Sequence, residues 1–529
     1  MKTPPVRFLL LILALLLLFT PTFAQNVQRN PTVSYDIKHD VSLPLREMAR
    51  NAPPPLPGTI EMREHGTPPH FFGKFSATDP VAQTSFLPNV ATLNGLSFDA
   101  ITEQQGGAIP PDTNGSVGAT QYVLITNFDY AVYDKSTGSQ ILAPTRIHNI
   151  WSGFGGQCSI RDGGDPIILW DKMAQRWLVE QLEYFTANQN LVCVAVSTTS
   201  DATGTYNRYA FSFTSNLPDY PKIGVWPDAY YLAVNAFGGN GSFFSGATPC
   251  ALDRNAMLAG TSAAMICFAP NTNNLGFLPS DLDGATAPPS GAPNHFVELG
   301  NNTTSLNEFD FHVDFVTPSN STFTGPHAIT VPNFVLLCGG GGGACIKQPS
   351  PGSLLDALGD RLMYRLAYRN FGDHEAMVVN HSVQPNSPST ASSATRWYEL
   401  RATPPGSAWT LFQAGSLQDS KISVWMGSIA MDKMGDIALG VSAVSSTTVK
   451  PSIAYTGRVP SDAPNMMEAP RLVVAGTGVQ SGSNRWGDYS SMSVDPADDC
   501  TFWYAQEYSK TNGTDWVTHV NQFRFIACK

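Results

Sequence analysis

Gly164-Asp165-Pro166-Ile167-Ile168-Leu169-Trp170 runs through Asp171-Lys172-Met173 into Arg176-Trp177-Leu178-Val179. A polar cluster opens an apolar run, an Asp-led turn follows, and a second apolar run returns. The unit recurs. Asp219-Tyr220-Pro221-Lys222-Ile223-Gly224-Val225 leads through Trp226-Pro227-Asp228 to Tyr230-Tyr231-Leu232-Ala233-Val234. Trp425-Met426-Gly427-Ser428-Ile429-Ala430-Met431 leads through Asp432-Lys433-Met434-Gly435-Asp436 to Ile437-Ala438-Leu439. Trp486-Gly487-Asp488-Tyr489-Ser490-Ser491-Met492 leads through Asp495-Pro496-Ala497-Asp498 to Phe502-Trp503-Tyr504. Pro111-Asp112-Thr113-Asn114-Gly115-Ser116-Val117 and Leu358-Gly359-Asp360-Arg361-Leu362-Met363-Tyr364 open in the same way. A degenerate period of roughly 50–70 residues built from β-meanders predicts an all-β fold, a β-propeller. Its inner strands converge on one axis, so residues far apart in sequence meet there.

Seven units are expected, opening near Asp112, Asp165, Tyr220, Asn294, Asp360, Gly427 and Asp488. Six or eight blades remain open. The strands of the fourth unit are expected at residues 295–298 and in the alternating stretch 309–315. Residues 353–358 could make one short turn of helix.

The chain starts like an exported protein. Lys2 and Arg7 precede an apolar stretch over residues 9–19, and Thr22-Phe23-Ala24 offers small residues for cleavage before Gln25. Residues 1–24 are thus read as a signal peptide, with an uncleaved anchor as the alternative. Residues 25–105 read as an extended Pro-rich segment, including Pro53-Pro54-Pro55. Asn94-Gly95-Leu96-Ser97-Phe98 at its end could pack on the propeller or supply a closing strand. The propeller is expected over 106–529. The product is expected to be secreted, or to sit at the cell surface or in the periplasm, as a monomer, off the membrane once the signal is cleaved.

Eight cysteines in an exported chain imply disulfides. A preference for neighbours pairs Cys158 with Cys193, Cys250 with Cys267, Cys338 with Cys345, and Cys500 with Cys528. A net charge of −11 and the absence of any Lys/Arg run exclude a nucleic-acid partner. Charged residues make up only 14% of the chain, which suits short strands and many turns.

The aligned unit openings are the first site candidates. Asp112, Asp165, Lys222, Asp360, Arg361, Arg485 and Asp488 would ring one mouth of the axis, with Tyr220, Tyr364 and Tyr489 between them. Carboxylates, cations and phenols in a concave site can do acid/base chemistry or hold an anionic sugar. Asp is also a favoured turn residue, so each carboxylate has a plain structural reading. Asp112-Thr113-Asn114-Gly115-Ser116 could hold a structural calcium, although its Gly falls at the wrong place for an EF-hand and no Glu closes it. A plain turn is the simpler reading, and no cofactor is expected. Arg485-Trp486-Gly487-Asp488-Tyr489, with Glu507 and Tyr508 in the following strand, suits stacking on a sugar face. It suits blade-to-blade packing equally well. Arg361, Arg365 and Arg369 lie on one alternating strand, either as an anion site or in cross-strand ion pairs. His374-Glu375 has no second His at zincin spacing, and the glycine run 339–343 lacks the Lys-Ser/Thr of a phosphate loop.

Gly107-Ala108-Ile109-Pro110-Pro111-Asp112-Thr113-Asn114-Gly115, residues 358–365 and Arg485-Trp486-Gly487-Asp488-Tyr489 resemble an uncharacterised family of exported bacterial β-propeller-like proteins. That resemblance covers the chain from about Gly106 onward and implies no assigned chemistry. A looser, fold-level likeness is to sialidase-type propellers, since residues 428–435 look like a degraded Asp-box turn. It implies an arginine cluster, a Tyr–Glu pair and an acidic Asp, which Arg361, Arg485, Tyr489, Glu507 and Asp112 could supply.

The resulting expectation is a propeller that binds or cleaves an extracellular glycan at its central channel. Asp112, Asp165 and Asp488 would be the acid, base or nucleophile. Tyr489 or Tyr364 would be the base in a uronate lyase. Arg361, Tyr364, Arg485, Trp486 and Glu507 would hold the substrate. The alternative is a non-catalytic cell-surface or matrix propeller that binds a surface protein.

Overall fold

The computed structural model describes residues 27–52, 58–63, 65, 78–83, 85–89, 91–184 and 190–529. The expected signal peptide lies outside them. Four-stranded antiparallel meanders follow one another along the chain. Their inner strands are Asn114–Val117, Ile167–Asp171, Leu217–Val225, Leu278–Asp283, Met363–Asn370, Ile422–Met431 and Ser491–Val494. Each inner strand touches the next, and the last touches the first. That closed ring is a β-propeller. The inner strands of the fourth and fifth meanders also pair directly and in parallel, Ser280 opposite Leu366 and Asp283 opposite Arg369.

Local chemistry explains the repeats. Val, Ile and aromatic residues fill strands that are buried on both faces, as a sheet between two blades requires. The first hairpin of several blades turns on an aspartate that accepts the following backbone N–H groups. Asp171 takes those of Met173 and Ala174, Asp432 those of Met434 and Asp436, and Asp498 those of Cys500 and Thr501. The Asp-box-like stretch 428–435 is thus the end of an inner strand, through Met431, followed by a structural turn led by Asp432.

The fourth blade corrects the expected boundaries. Asn294–Leu299 is its second strand, and the inner strand is Leu278–Asp283. Leu278-Pro279-Ser280-Asp281-Leu282-Asp283 lacks an apolar run because its acidic residues face the channel. The helical turn expected at 353–358 is also absent. Leu355–Asp356 pairs with Ala344–Ile346, and the Asp356 N–H bonds to the Asn484 carbonyl.

Strands that precede residue 106 serve as edging. Val27–Gln28, Thr32–Tyr35 and Lys38–Val41 add fifth strands to the fourth, third and second blades. Such strands cover edges that would otherwise present unpaired backbone groups. Thr92–Thr102 pairs with Trp516–Phe525 and is the outer strand of the last blade, so an N-terminal strand closes the C-terminal sheet.

All eight cysteines pair as neighbours: Cys158–Cys193, Cys250–Cys267, Cys338–Cys345 and Cys500–Cys528. The last ties the chain end to the closing blade. Cys500→Ser with Cys528→Ser is expected to lower stability by about 2–4 kcal/mol, mainly through the unfolded chain. Urea denaturation of the variant reads this directly. An unchanged midpoint would show that the closing strand alone holds the terminus. Among the described residues no helix is long and apolar enough to cross a membrane.

Candidate functional site

Five of the seven expected unit openings share a backbone conformation. Asp112, Asp165, Tyr220, Met426 and Asp488 have φ of 51°, 52°, 51°, 51° and 48°. L-residues other than Asn, Asp and Gly rarely enter this left-handed region, and its repetition in five blades marks a shared irregularity. Where a strand runs through it, the ladder slips, as between Asp219 and Lys222 and between Trp425 and Ser428. This bulge re-aims the side chains at one mouth of the axis.

Three of those residues converge there. One carboxylate oxygen each from Asp112, Asp165 and Asp488, on the first, second and last blades and so adjacent around the ring, lies within 4.8 Å of the others. Asp112 is buried and its Oδ1 has no hydrogen-bond partner. Burial, then the Asp488 and Asp165 charges, push its carboxyl well above the usual range. Burial also raises Asp488, but Arg485 lies 2.8 Å away and pulls it back toward the ionised form. Asp165 accepts the Tyr220 N–H at 3.0 Å, so it also ties two blades together. The spacing of the three is one at which carboxylates can hold a cation, a different set from the loop 112–116 considered for calcium.

Cations surround them. Arg361 pairs with Asp360 and lies over the Tyr220 ring at 4.6 Å. Arg485 bridges Asp356 and Asp488. Lys222 is fully buried between the Tyr220 and Tyr489 rings, 3.7 and 4.1 Å from their centroids. Burial lowers its pKa, against the pull of Asp165 and Glu180. The alignment of unit openings misses two acids here. Asp219 lines the cleft, and burial, then the Asp165 charge, raise its pKa. Glu180, on a second strand, has both carboxylate oxygens buried without a hydrogen-bond partner.

Several expected roles change. Trp486 is buried against Trp425, with its indole N–H on Ser442, and has no face free for a sugar. The packing reading holds for it. Tyr489 and Tyr364 donate to the carbonyls of Pro166 and Ile223, and burial pushes both well above the phenol range. Neither is placed to act as a base. Glu507 is buried beneath the Gly487 turn, and burial raises its carboxyl as well. Asn114 and Gly115 of the supposed cation loop instead bond to the Ile168 N–H and the Ser491 hydroxyl on neighbouring inner strands.

A cleft of about 30 Å³ is lined by Asp165, Asp219 and Asp488, with Met62, Arg63 and His65 also on its wall, whereas Asp112 is buried and does not line it. Behind it the channel is filled by ion pairs. Arg365 reaches Asp281 at 2.8 Å and also Asp283, which accepts from Lys172 at 3.2 Å. The opposite mouth opens into a cavity of about 470 Å³ bordered by Trp170, Lys172, Met173, Gln175, Leu282 and Asp499. Arg365 and Arg369 thus lie in ion pairs between blades, Arg369 on Asp499, whereas Arg361 pairs with the adjacent Asp360.

No known protein-family profile matches the chain. No curated protein matches it. Among solved structures it is similar to the α-L-arabinofuranosidase Arb93A from Fusarium graminearum at 9% identity, over 84% of this chain and 99% of that one, with a TM-score of 0.35. It is similar to a subtype N10 neuraminidase-like protein of A/little yellow-shouldered bat/Guatemala/060/2010 at 10% identity, over 66% and 95%, with a TM-score of 0.34. It is also similar to the polysaccharide lyase Uly1 at 10% identity, over 66% and 88%, with a TM-score of 0.30. At such scores these likenesses carry no argument about chemistry. The fold assignment rests on the closed ring of inner strands.

Proposed function

We propose that this propeller binds and cleaves an extracellular glycan at the axial mouth where Asp112, Asp165 and Asp488 meet. The observation that carries the reading is their convergence from three blades, with one oxygen of each within 4.8 Å of the others. Carboxyl groups roughly 5 Å apart suit a nucleophile and an acid on one glycosidic bond, whereas an inverting pair needs a wider gap for its water. Asp112, buried and facing two other carboxylates, is the acid. Asp488, held by Arg485, is the nucleophile. Asp165 positions the Tyr220 backbone, and Arg361 and Arg485 attract an anionic substituent. Asp165 and Asp488 line the cleft through which a sugar would approach. The second reading is a non-catalytic interaction propeller. The Asp165–Tyr220 bond and the narrow cleft favour it, because both suit an axis built to lock blades.

A glycan array and a reducing-sugar screen on wild type and Asp488→Ala separate the two. The expected result is release of reducing ends with retained anomeric configuration. Asp488→Ala should lose it and sodium azide should partly restore it, since azide replaces a missing nucleophile. If neither binding nor release is found across neutral and acidic glycans, the interaction reading stands.

A further inference from the structure

The strand Ser305–His312 of the fourth blade turns its phenylalanines into the core, where Phe309 and Phe311 pack on Phe323. By the two-residue period of a strand, Glu308 and Asp310 share the opposite face. His295 lies directly across from Asp310 on one neighbouring strand. His327 lies directly across from Glu308 on the other. Cross-strand partners share a face, so these four side chains form one patch over three strands.

One potential ligand atom each from His295, Glu308 and Asp310 lies within 4.8 Å of the others, and His327 adjoins Asp310. His295 Nδ1 lies 2.8 Å from Glu308 Oε1 and 2.9 Å from Asp310 Oδ1. His327 Nε2 is buried, makes no hydrogen bond, and lies 3.5 Å from Asp310 Oδ2. The indole N–H of Trp409, from the fifth blade, points at the same His295 Nδ1 at 3.1 Å. That nitrogen therefore faces two acceptors and one donor at once. With a proton on it, the Trp409 N–H meets another N–H. Without one, two carboxylates meet a lone pair. No tautomer satisfies all three neighbours.

We propose that His295, Glu308, Asp310 and His327 bind a divalent transition-metal ion of the zinc class. His295, Glu308 and Asp310 provide three clustered donors, and His327 beside Asp310 would supply the fourth that a closed structural zinc site uses. Imidazole selects zinc and its neighbours in the transition series over calcium and magnesium, which take oxygen ligands. His295 and Glu308 are buried, while the Asp310 and His327 side chains are 36% and 29% exposed, so the ion reaches the site from solvent. Once bound, it clamps three strands of the fourth blade beneath Trp409 of the fifth. The site lies on blade four and uses none of the axial carboxylates.

The test uses tag-free protein stripped with EDTA and titrated with zinc chloride, with calcium chloride in parallel. A single equivalent of zinc should bind with micromolar or tighter affinity and raise the melting temperature, with no such effect from calcium. Asp310→Asn and His327→Ala, at part-exposed positions, should weaken zinc at least about tenfold. Asp488→Asn should leave it unchanged. Cobalt in the wild-type protein should give the strong visible bands of a tetrahedral site, a readout that stands even if a variant misfolds. Absence of zinc binding, or undiminished binding to His327→Ala, would overturn the proposal.

Discussion

Asp112→Asn is expected to abolish glycan turnover while raising the melting temperature at pH 8. Both effects follow from one environment. Asp112 is 1% exposed, with Oδ1 unpartnered and two carboxylates against it, so its folded pKa lies well above its unfolded value. The folded state therefore binds a proton that the unfolded chain releases near pH 4. Where the folded state holds more protons, stability falls as pH rises. Wild type should thus lose stability from about pH 4 upward until Asp112 ionises in the folded protein too. Asparagine keeps the shape, needs no proton, and flattens that slope. It cannot protonate a leaving group, and loss of a general acid costs roughly 10²–10⁴-fold in rate. Thermal melts from pH 4 to 8 beside reducing-sugar assays read both. A lower melting temperature with unchanged glycan readouts would make Asp112 structural and end the acid assignment.

Arg365→Met is expected to destabilise the fold by about 3–5 kcal/mol, because it leaves buried carboxylates without their cation. Arg365 is 4% exposed and engages both Asp281 and Asp283 while donating to the Met492 carbonyl. Without it Lys172 still reaches Asp283, but none of the ion pairs found among the described residues would compensate Asp281. Asp281 also accepts the Val225 N–H, so the loss spreads to the third blade's inner strand. Arg365→Lys keeps the charge but not the two-pronged geometry, and should fall between. Urea denaturation of both variants measures the effect. A change within about 0.5 kcal/mol, the scale of an ordinary surface substitution, would show that the channel ion pairs are replaceable.

The sequence by itself determined what short-range chemistry controls. Alternating apolar runs and Asp-led turns specify hairpins wherever they occur, because a period of two and an Asx turn need only adjacent residues. Five of the seven expected openings were legible for the same reason, and Asp112, Asp165, Tyr220, Met426 (beside Gly427) and Asp488 adopt one left-handed conformation. The neighbour pairing of cysteines was legible because each bridge closes a short span of chain, at most 35 residues for Cys158–Cys193, as Cys250 opposite Cys267 shows.

Only the tertiary structure decided the rest. The fourth inner strand escaped a pattern search because Asp281 and Asp283 break its apolar run, and they are tolerated only where Arg365 and Lys172 face them across the channel. Trp486 reads equally as platform or core until Trp425 is seen to cover it. Glu180 looks like any strand residue until Lys222, on another blade, comes near. Closure of a ring makes partners of residues hundreds of positions apart. Local sequence encodes each strand's periodicity, but not which buried charge it will meet across the axis.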